Sequence, residues 1–118
     1  MLCLLLFCIA HEWSKHGTCS GLSQFNYLSS AINVIKKFGT PAIIPANLGK
    51  NISSDALRQD FGGAEYVSLQ CMSGQYLSGA FLCLTFGSDG LPGDKVVCPA
   101  DVHAEDTCTG STVFIQTF

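Results

Sequence analysis

The chain has 118 residues, 47% of them hydrophobic and only 13% charged, about half the usual charged share. Such a composition excludes a disordered tail, and the length suits one domain or part of one, in which about 1–2 kcal/mol matters. A formal net charge of −3 excludes bulk electrostatic capture of nucleic acid, but not a local cationic cleft on an acidic protein.

Residues 1–10, Met-Leu-Cys-Leu-Leu-Leu-Phe-Cys-Ile-Ala, form an apolar leader with two readings. One is a signal peptide, with an apolar centre and small residues at Cys8 and Ala10 but no basic start. The other is mature structure, a buried strand or a first helical turn. Ten residues are too few to cross a bilayer, so no stable membrane association is expected. Cleavage after Ala10 would leave His11 at a fraying terminus, which counts against processing there.

The stretch His11-Glu12-Trp13-Ser14-Lys15-His16-Gly17-Thr18-Cys19 follows. Wound as an α-helix, positions 11, 12, 15 and 16 span an arc of roughly 140°, with Trp13 and Ser14 pointing elsewhere. One face then holds two imidazoles, a carboxylate and an ammonium, an acid–base pair beside groups suited to a phosphate. A lone histidine on an amphipathic face is commonly structural. Two with Glu and Lys at this spacing point to chemistry. The spacing HExxxH differs from the zinc-binding HExxH, and no CxxC occurs, so no metal and no cofactor are expected.

Ser23 or Asn26 is placed to cap a helix through Tyr27, Leu28, Ala31, Ile32, Val34 and Ile35, a core-facing stripe stopped by Gly39 with Pro41 beyond. Lys36 and Lys37 suit its last turn. Residues 43–50 read as a turn-rich loop. Asn51-Ile52-Ser53 is an N-glycosylation acceptor in a predicted loop. Ser53-Ser54-Asp55 caps a short helix over Ala56–Phe61, closed by Gly62-Gly63. From Tyr66 the pattern becomes β: Tyr66–Cys71 alternates, and Tyr76–Phe86 is a longer run with Gly79 as a bulge. Ser88-Asp89-Gly90 turns the chain, Leu91–Asp94 continues as loop, and 95–99 and 111–115 complete the strands. Helices first and strands after define an α+β fold with helices packed on an antiparallel sheet. His103, between Asp101 and Glu105, reads as a solvated loop residue.

HEWSKHGTC resembles the second active-site motif of the ribonuclease T2 family, base-nonspecific and mostly acid endoribonucleases of secretory and vacuolar or lysosomal compartments. Phe25-Asn26-Tyr27-Leu28, Ile35-Lys36-Lys37-Phe38 and a late run of four cysteines before a Phe-terminated strand extend the resemblance over residues 11–118. The family's earlier motif, close to His-Gly-Leu-Trp-Pro, has no counterpart in the 118 residues. The expectation is therefore a partial T2-like domain over 11–118, truncated at its N-terminus.

The resemblance implies cleavage of single-stranded RNA by transphosphorylation through a 2′,3′-cyclic phosphate, with little base specificity and no metal. His16 is then the acid–base residue, Lys15 supplies charge to the phosphorane and Glu12 orients or polarises. Histidine suits such proton transfers because it titrates near working pH. His11 and Trp13 form the substrate-binding pair, although a single tryptophan is more commonly a core anchor. A secreted or vacuolar/lysosomal monomer that does not act on DNA follows. With the first histidine motif lacking, impaired activity is expected; the alternative is a catalytically inactive secreted relative that binds RNA or acts as an effector.

Seven cysteines point to an oxidising compartment. Four late cysteines allow three pairings by sequence, and the resemblance implies Cys71–Cys108 and Cys83–Cys98. Cys19 is left to Cys3, Cys8 or no partner.

Overall fold

The computed structural model describes residues 9–89 and 91–117. The leader up to Cys8, both cysteines within it, and Gly90 of the expected turn lie outside the described residues. The fold is α+β, divided into two compact units. One comprises the described residues up to Gly39 together with Phe86–Gly93, and the other Thr40–Thr85 with Asp94–Phe118. Among the described residues no helix is long and apolar enough to cross a membrane.

The first unit is helical. Residues 9–12 are α-helical, Trp13–Gly17 are wound as a π-helix, and Thr18–Ser20 form a 3-10 turn. Helix α1, Gln24–Phe38, starts at Ser23, whose hydroxyl accepts the Asn26 amide at 3.2 Å, and stops at Gly39, where φ is 68°. That positive φ is open to glycine and strained for other residues. Lys36 and Lys37 lie in the last turn, as the helix dipole favours.

The inward side of α1 is narrower than the predicted stripe. Ser30 is buried and Tyr27, Leu28, Ser29, Val34 and Phe38 are half-buried, whereas Ile32 and Ile35 are 53% and 67% exposed and Ala31 is exposed too. Ser30 can face inward because its hydroxyl bonds back to the Tyr27 carbonyl at 2.9 Å. A polar residue thus lies on the inward side beside Tyr27 and Val34.

The second unit is built on a four-stranded sheet of order β1-β6-β3-β2, with β1 at Asn51–Ser53, β2 at Val67–Met72, β3 at Tyr76–Leu82 and β6 at Thr112–Phe114. Strands β4 (Leu84–Phe86) and β5 (Pro92–Lys95) form a separate two-stranded sheet. The four-stranded sheet is mixed rather than antiparallel, because β6 runs parallel to β3 with Tyr76 opposite Phe114. A long connection through β4, β5 and a short helix permits that crossover, which a hairpin cannot make. Asn51–Ser53 is an edge strand rather than a loop, held to β6 through Ile52 opposite Val113. The β5 strand begins at Pro92, in the expected loop, and residues 96–99 are outside any strand. At the expected bulge, Gln70 pairs with Gly79 and Cys71 with Leu77, so the extra residue is Ser78.

Helix α2, Ser54–Asp60, is capped by Ser53, which accepts the Ala56 amide at 3.2 Å. It drops Leu57 onto Val67, Leu69, Val113 and Ile115, all 2% exposed or less. Fully burying each such side chain stabilises the fold by roughly 1.5–3 kcal/mol. Arg58 Nη2 reaches both carboxylate oxygens of Asp106 at 3.1 and 3.0 Å and the Cys108 carbonyl at 3.1 Å. Asp106 also accepts the Leu69 and Cys108 amides, each at 3.0 Å. One carboxylate therefore ties α2, β2 and the chain before Cys108. Thr107 follows along β2, exchanging hydrogen bonds with Cys71 through its hydroxyl.

Cys71 is bonded to Cys108 and Cys83 to Cys98, enclosing sequence separations of 37 and 15 residues. Cys19 is free and exposed. Helix α3, Ala100–His103, takes in His103, which is half-buried and helical rather than a solvated loop residue. Its amide bonds the Pro99 carbonyl at 3.1 Å, so the extended Pro99 starts a turn that an acidic sequence alone did not announce.

Candidate active site

Trp13 is the pivot of the motif. Its ring meets Tyr27 of α1 edge-on, with centroids 5.9 Å apart and planes at 63°. Below it lies Gly17, buried; a Cβ there would fall 2.8 Å from ring atom Cζ3 and closer still to Cε3. The absence of a side chain at position 17 is what lets the indole lie flat along its own helix. The one tryptophan of the chain is thus a half-buried anchor holding the motif to α1.

The winding differs from the α-helix expected. The Thr18 amide bonds the Trp13 carbonyl, five residues back. In such a wider turn each residue advances by less than the roughly 100° of an α-helix. Lys15 and His16 accordingly follow Glu12 with less rotation, and His16 comes round closer to the direction of His11. The arc holding the four groups narrows. Polar side chains on the remaining positions tighten the backbone: Ser14 Oγ bonds the His11 carbonyl at 3.1 Å, and Thr18 Oγ1 the Ser14 carbonyl at 3.5 Å. Ser20 Oγ bonds the Gly17 carbonyl at 2.5 Å, and Gly21, at φ 73°, ends the turn.

His11, Glu12, Lys15 and His16 are all exposed. No hydrogen bond or ion pair to a described residue occupies their side chains. They stand on a backbone held from behind by Trp13. Among the described residues no three His, Cys, Asp or Glu side chains cluster as a metal ion would need. His103 belongs to the other unit.

Sequence reasoning did not single out two residues that the geometry makes important, Gly17 and Tyr27. For Gly17 a signal was present: Trp13 and Gly17 are four apart, the spacing at which one helical side chain overlies the next. Tyr27 stood in the predicted core-facing stripe, but its pairing with Trp13 had no mark in either helix.

No curated protein and no solved structure gives a significant match to the chain. The profile of the Ribonuclease T2 family matches residues 7–90, which takes in the whole motif, helix α1 and the strands as far as β4. An unbroken HEWSKHGTC, folded as one exposed polar face on a tryptophan anchor and lying inside a match that covers well over half of the chain, makes this protein a member of the ribonuclease T2 family.

Proposed function

We propose that the protein acts on single-stranded RNA as an endoribonuclease, with the 2′-hydroxyl of the substrate as nucleophile. His16 takes the hydroxyl proton as the oxygen attacks its own phosphorus. The bond to the 5′-oxygen then breaks, leaving a 2′,3′-cyclic phosphate. Lys15 stabilises the charge on the phosphorane, where a positioned cation is most effective. Glu12 orients or polarises, and His11 binds phosphate. Trp13 serves by holding the face rather than by stacking on a base. Little base preference follows, because none of these groups reads a base edge. The enzyme works as a monomer in a secreted or vacuolar/lysosomal compartment, which the two disulfides suit.

The observation that carries this reading is the exposed set His11, Glu12, Lys15 and His16 on one short turn. Transphosphorylation also needs an acid for the leaving oxygen. The 118 residues contain no His-Gly-Leu-Trp-Pro-like motif to supply it. That observation favours impaired turnover under the first reading, and beside it the second reading, a catalytically inactive relative that binds RNA. Loss of one proton-transfer partner costs on the order of 10²–10⁴ in rate.

Zymography on RNA at acid pH, with mass analysis of products, tests both readings. A weak activity giving 2′,3′-cyclic ends and abolished by His16→Ala is expected. Full activity that survives His16→Ala would overturn the assignment. RNA binding without cleavage, weakened by Lys15→Ala, would select the second reading.

A further inference from the structure

We propose that Asn51 carries an N-linked glycan whose first sugar covers an apolar row on the open face of the sheet. Asn51-Ile52-Ser53 has the acceptor pattern, with no proline at its centre. Asn51 is exposed, on the edge strand β1, while Ile52 turns toward the core. The carboxamide of Asn51 has no hydrogen-bond partner among the described residues.

Strand register supplies the second observation. Asn51 lies opposite Phe114, Phe114 opposite Tyr76, and Tyr76 opposite Met72. Residues in register share a face, so these four make one row across all four strands. The neighbouring positions Val113, Ile115 and Cys71 point to the other face and form the core. The row is apolar beyond Asn51 yet uncovered: Met72 is 53% and Tyr76 38% exposed, and Phe114 is half-buried. Tyr76 and Phe114 stack edge-on at 5.8 Å, presenting a ring surface beside Asn51. Directly opposed side chains have Cβ atoms about 5 Å apart, within reach of a sugar on the asparagine nitrogen. The C–H face of that sugar is apolar and would remove ring surface from water.

The two sheet edges contrast in the same sense. Thr107 runs along β2 and bonds it, whereas β1 ends the sheet with no further strand among the described residues. A bulky, solubilising group at Asn51 shields an edge otherwise open to pairing with another chain.

In the transfer, Asn51 Nδ2 attacks the anomeric carbon of an oligosaccharide on a polyprenyl diphosphate donor. The new C–N bond forms as the carbon–oxygen bond to diphosphate breaks, the electron pair leaving with the diphosphate. One amide proton is lost to a base. The proposal rests on the compartment part of the function proposed above, and not on the nuclease chemistry.

The test is expression of the full chain in a eukaryotic secretory host, directed there by an added cleavable leader. Without that leader, failure to enter the pathway concerns the compartment alone. With it, peptide N-glycosidase should convert Asn51 to aspartate in the secreted protein and increase its mobility. Asn51→Gln should abolish the shift and Ser53→Thr should keep it. Ser53→Asp separates modification from folding, because aspartate still caps α2 but destroys the acceptor. It should yield a folded, unshifted protein. Nitration of Tyr76, mapped by peptide with Tyr66 as internal control, then tests the covering. Protein trimmed to one sugar by an endoglycosidase should be protected at Tyr76, and protein stripped of that sugar should not. An unmodified Asn51 in secreted, folded protein would overturn the proposal. Equal nitration of trimmed and stripped protein would overturn the covering.

Discussion

Replacing Gly17 by alanine probes whether the tryptophan anchor sets the geometry of the active face. The added methyl would overlap the Trp13 ring, falling 2.8 Å from Cζ3 with Cε3 nearer still, so the ring has to move. Overpacking of this kind costs about 1–3 kcal/mol. Losing the edge-on contact with Tyr27 adds about 0.5–1.5 kcal/mol. Against these stands a gain of about 1 kcal/mol from alanine's better helix propensity. The net expectation is a loss of about 0.5–3.5 kcal/mol. Because Trp13 is the only tryptophan, its fluorescence reports the displacement directly, as a red shift in the folded protein. Urea unfolding followed at that wavelength gives the free energy, and RNA binding gives the functional consequence. The clash needs both partners, so in a Trp13→Leu background Gly17→Ala should lose most of its cost, a coupling read from the double-mutant cycle. Unchanged emission and unchanged unfolding in Gly17→Ala would refute the anchor; additivity in the double variant would place the cost elsewhere.

Asp106→Ala leaves the Arg58 guanidinium, with a side chain 16% exposed, only the exposed Asp55 carboxylate at 3.7 Å as ion partner and strands the Leu69 and Cys108 amides. A loss of about 3–5 kcal/mol is expected by denaturant unfolding, and Asp106→Asn, which keeps an acceptor, should lose less. Opening Cys71–Cys108 by paired serine substitution should destabilise by about 4 kcal/mol and opening Cys83–Cys98 by about 3, following loops of 37 and 15 residues; the reverse order in a melt would contradict the loop argument. Ser23→Ala removes the hydroxyl that accepts the Asn26 amide and should cost about 0.5–2 kcal/mol, measurable as lost helical ellipticity, while Ser23→Asp should not.

Local rules carried much of this protein. The bounds of α1 follow from Ser23 and Gly39, and those of α2 from Ser53 and the pair Gly62-Gly63, because caps and left-handed glycines act within a few residues. The motif is legible for the same reason: all four chemical groups come from one turn, and spacing alone puts them together. The family resemblance was legible in that contiguity, and the profile match over residues 7–90 bears it out. The cysteine pairing is different, since spacing allowed three arrangements and only the resemblance chose among them.

What the sequence left open required contacts between distant segments. Periodicity assigned Ile32 and Ile35 to the core with Tyr27, Leu28 and Val34, but burial depends on what a helix faces, and only the latter three are half-buried. Asn51–Ser53 became a strand because β6, some sixty residues later, runs beside it; three residues have no strand signal of their own. The parallel pairing of β6 with β3 likewise depends on the path taken between them. Trp13 offered two roles from sequence, and its contacts with Tyr27 and Gly17, which suit an anchor, come only from the packing. The π-winding that narrows the arc of His11, Glu12, Lys15 and His16 rests on five-residue backbone pairing such as that from Thr18 to Trp13, for which the sequence carries no local propensity signal.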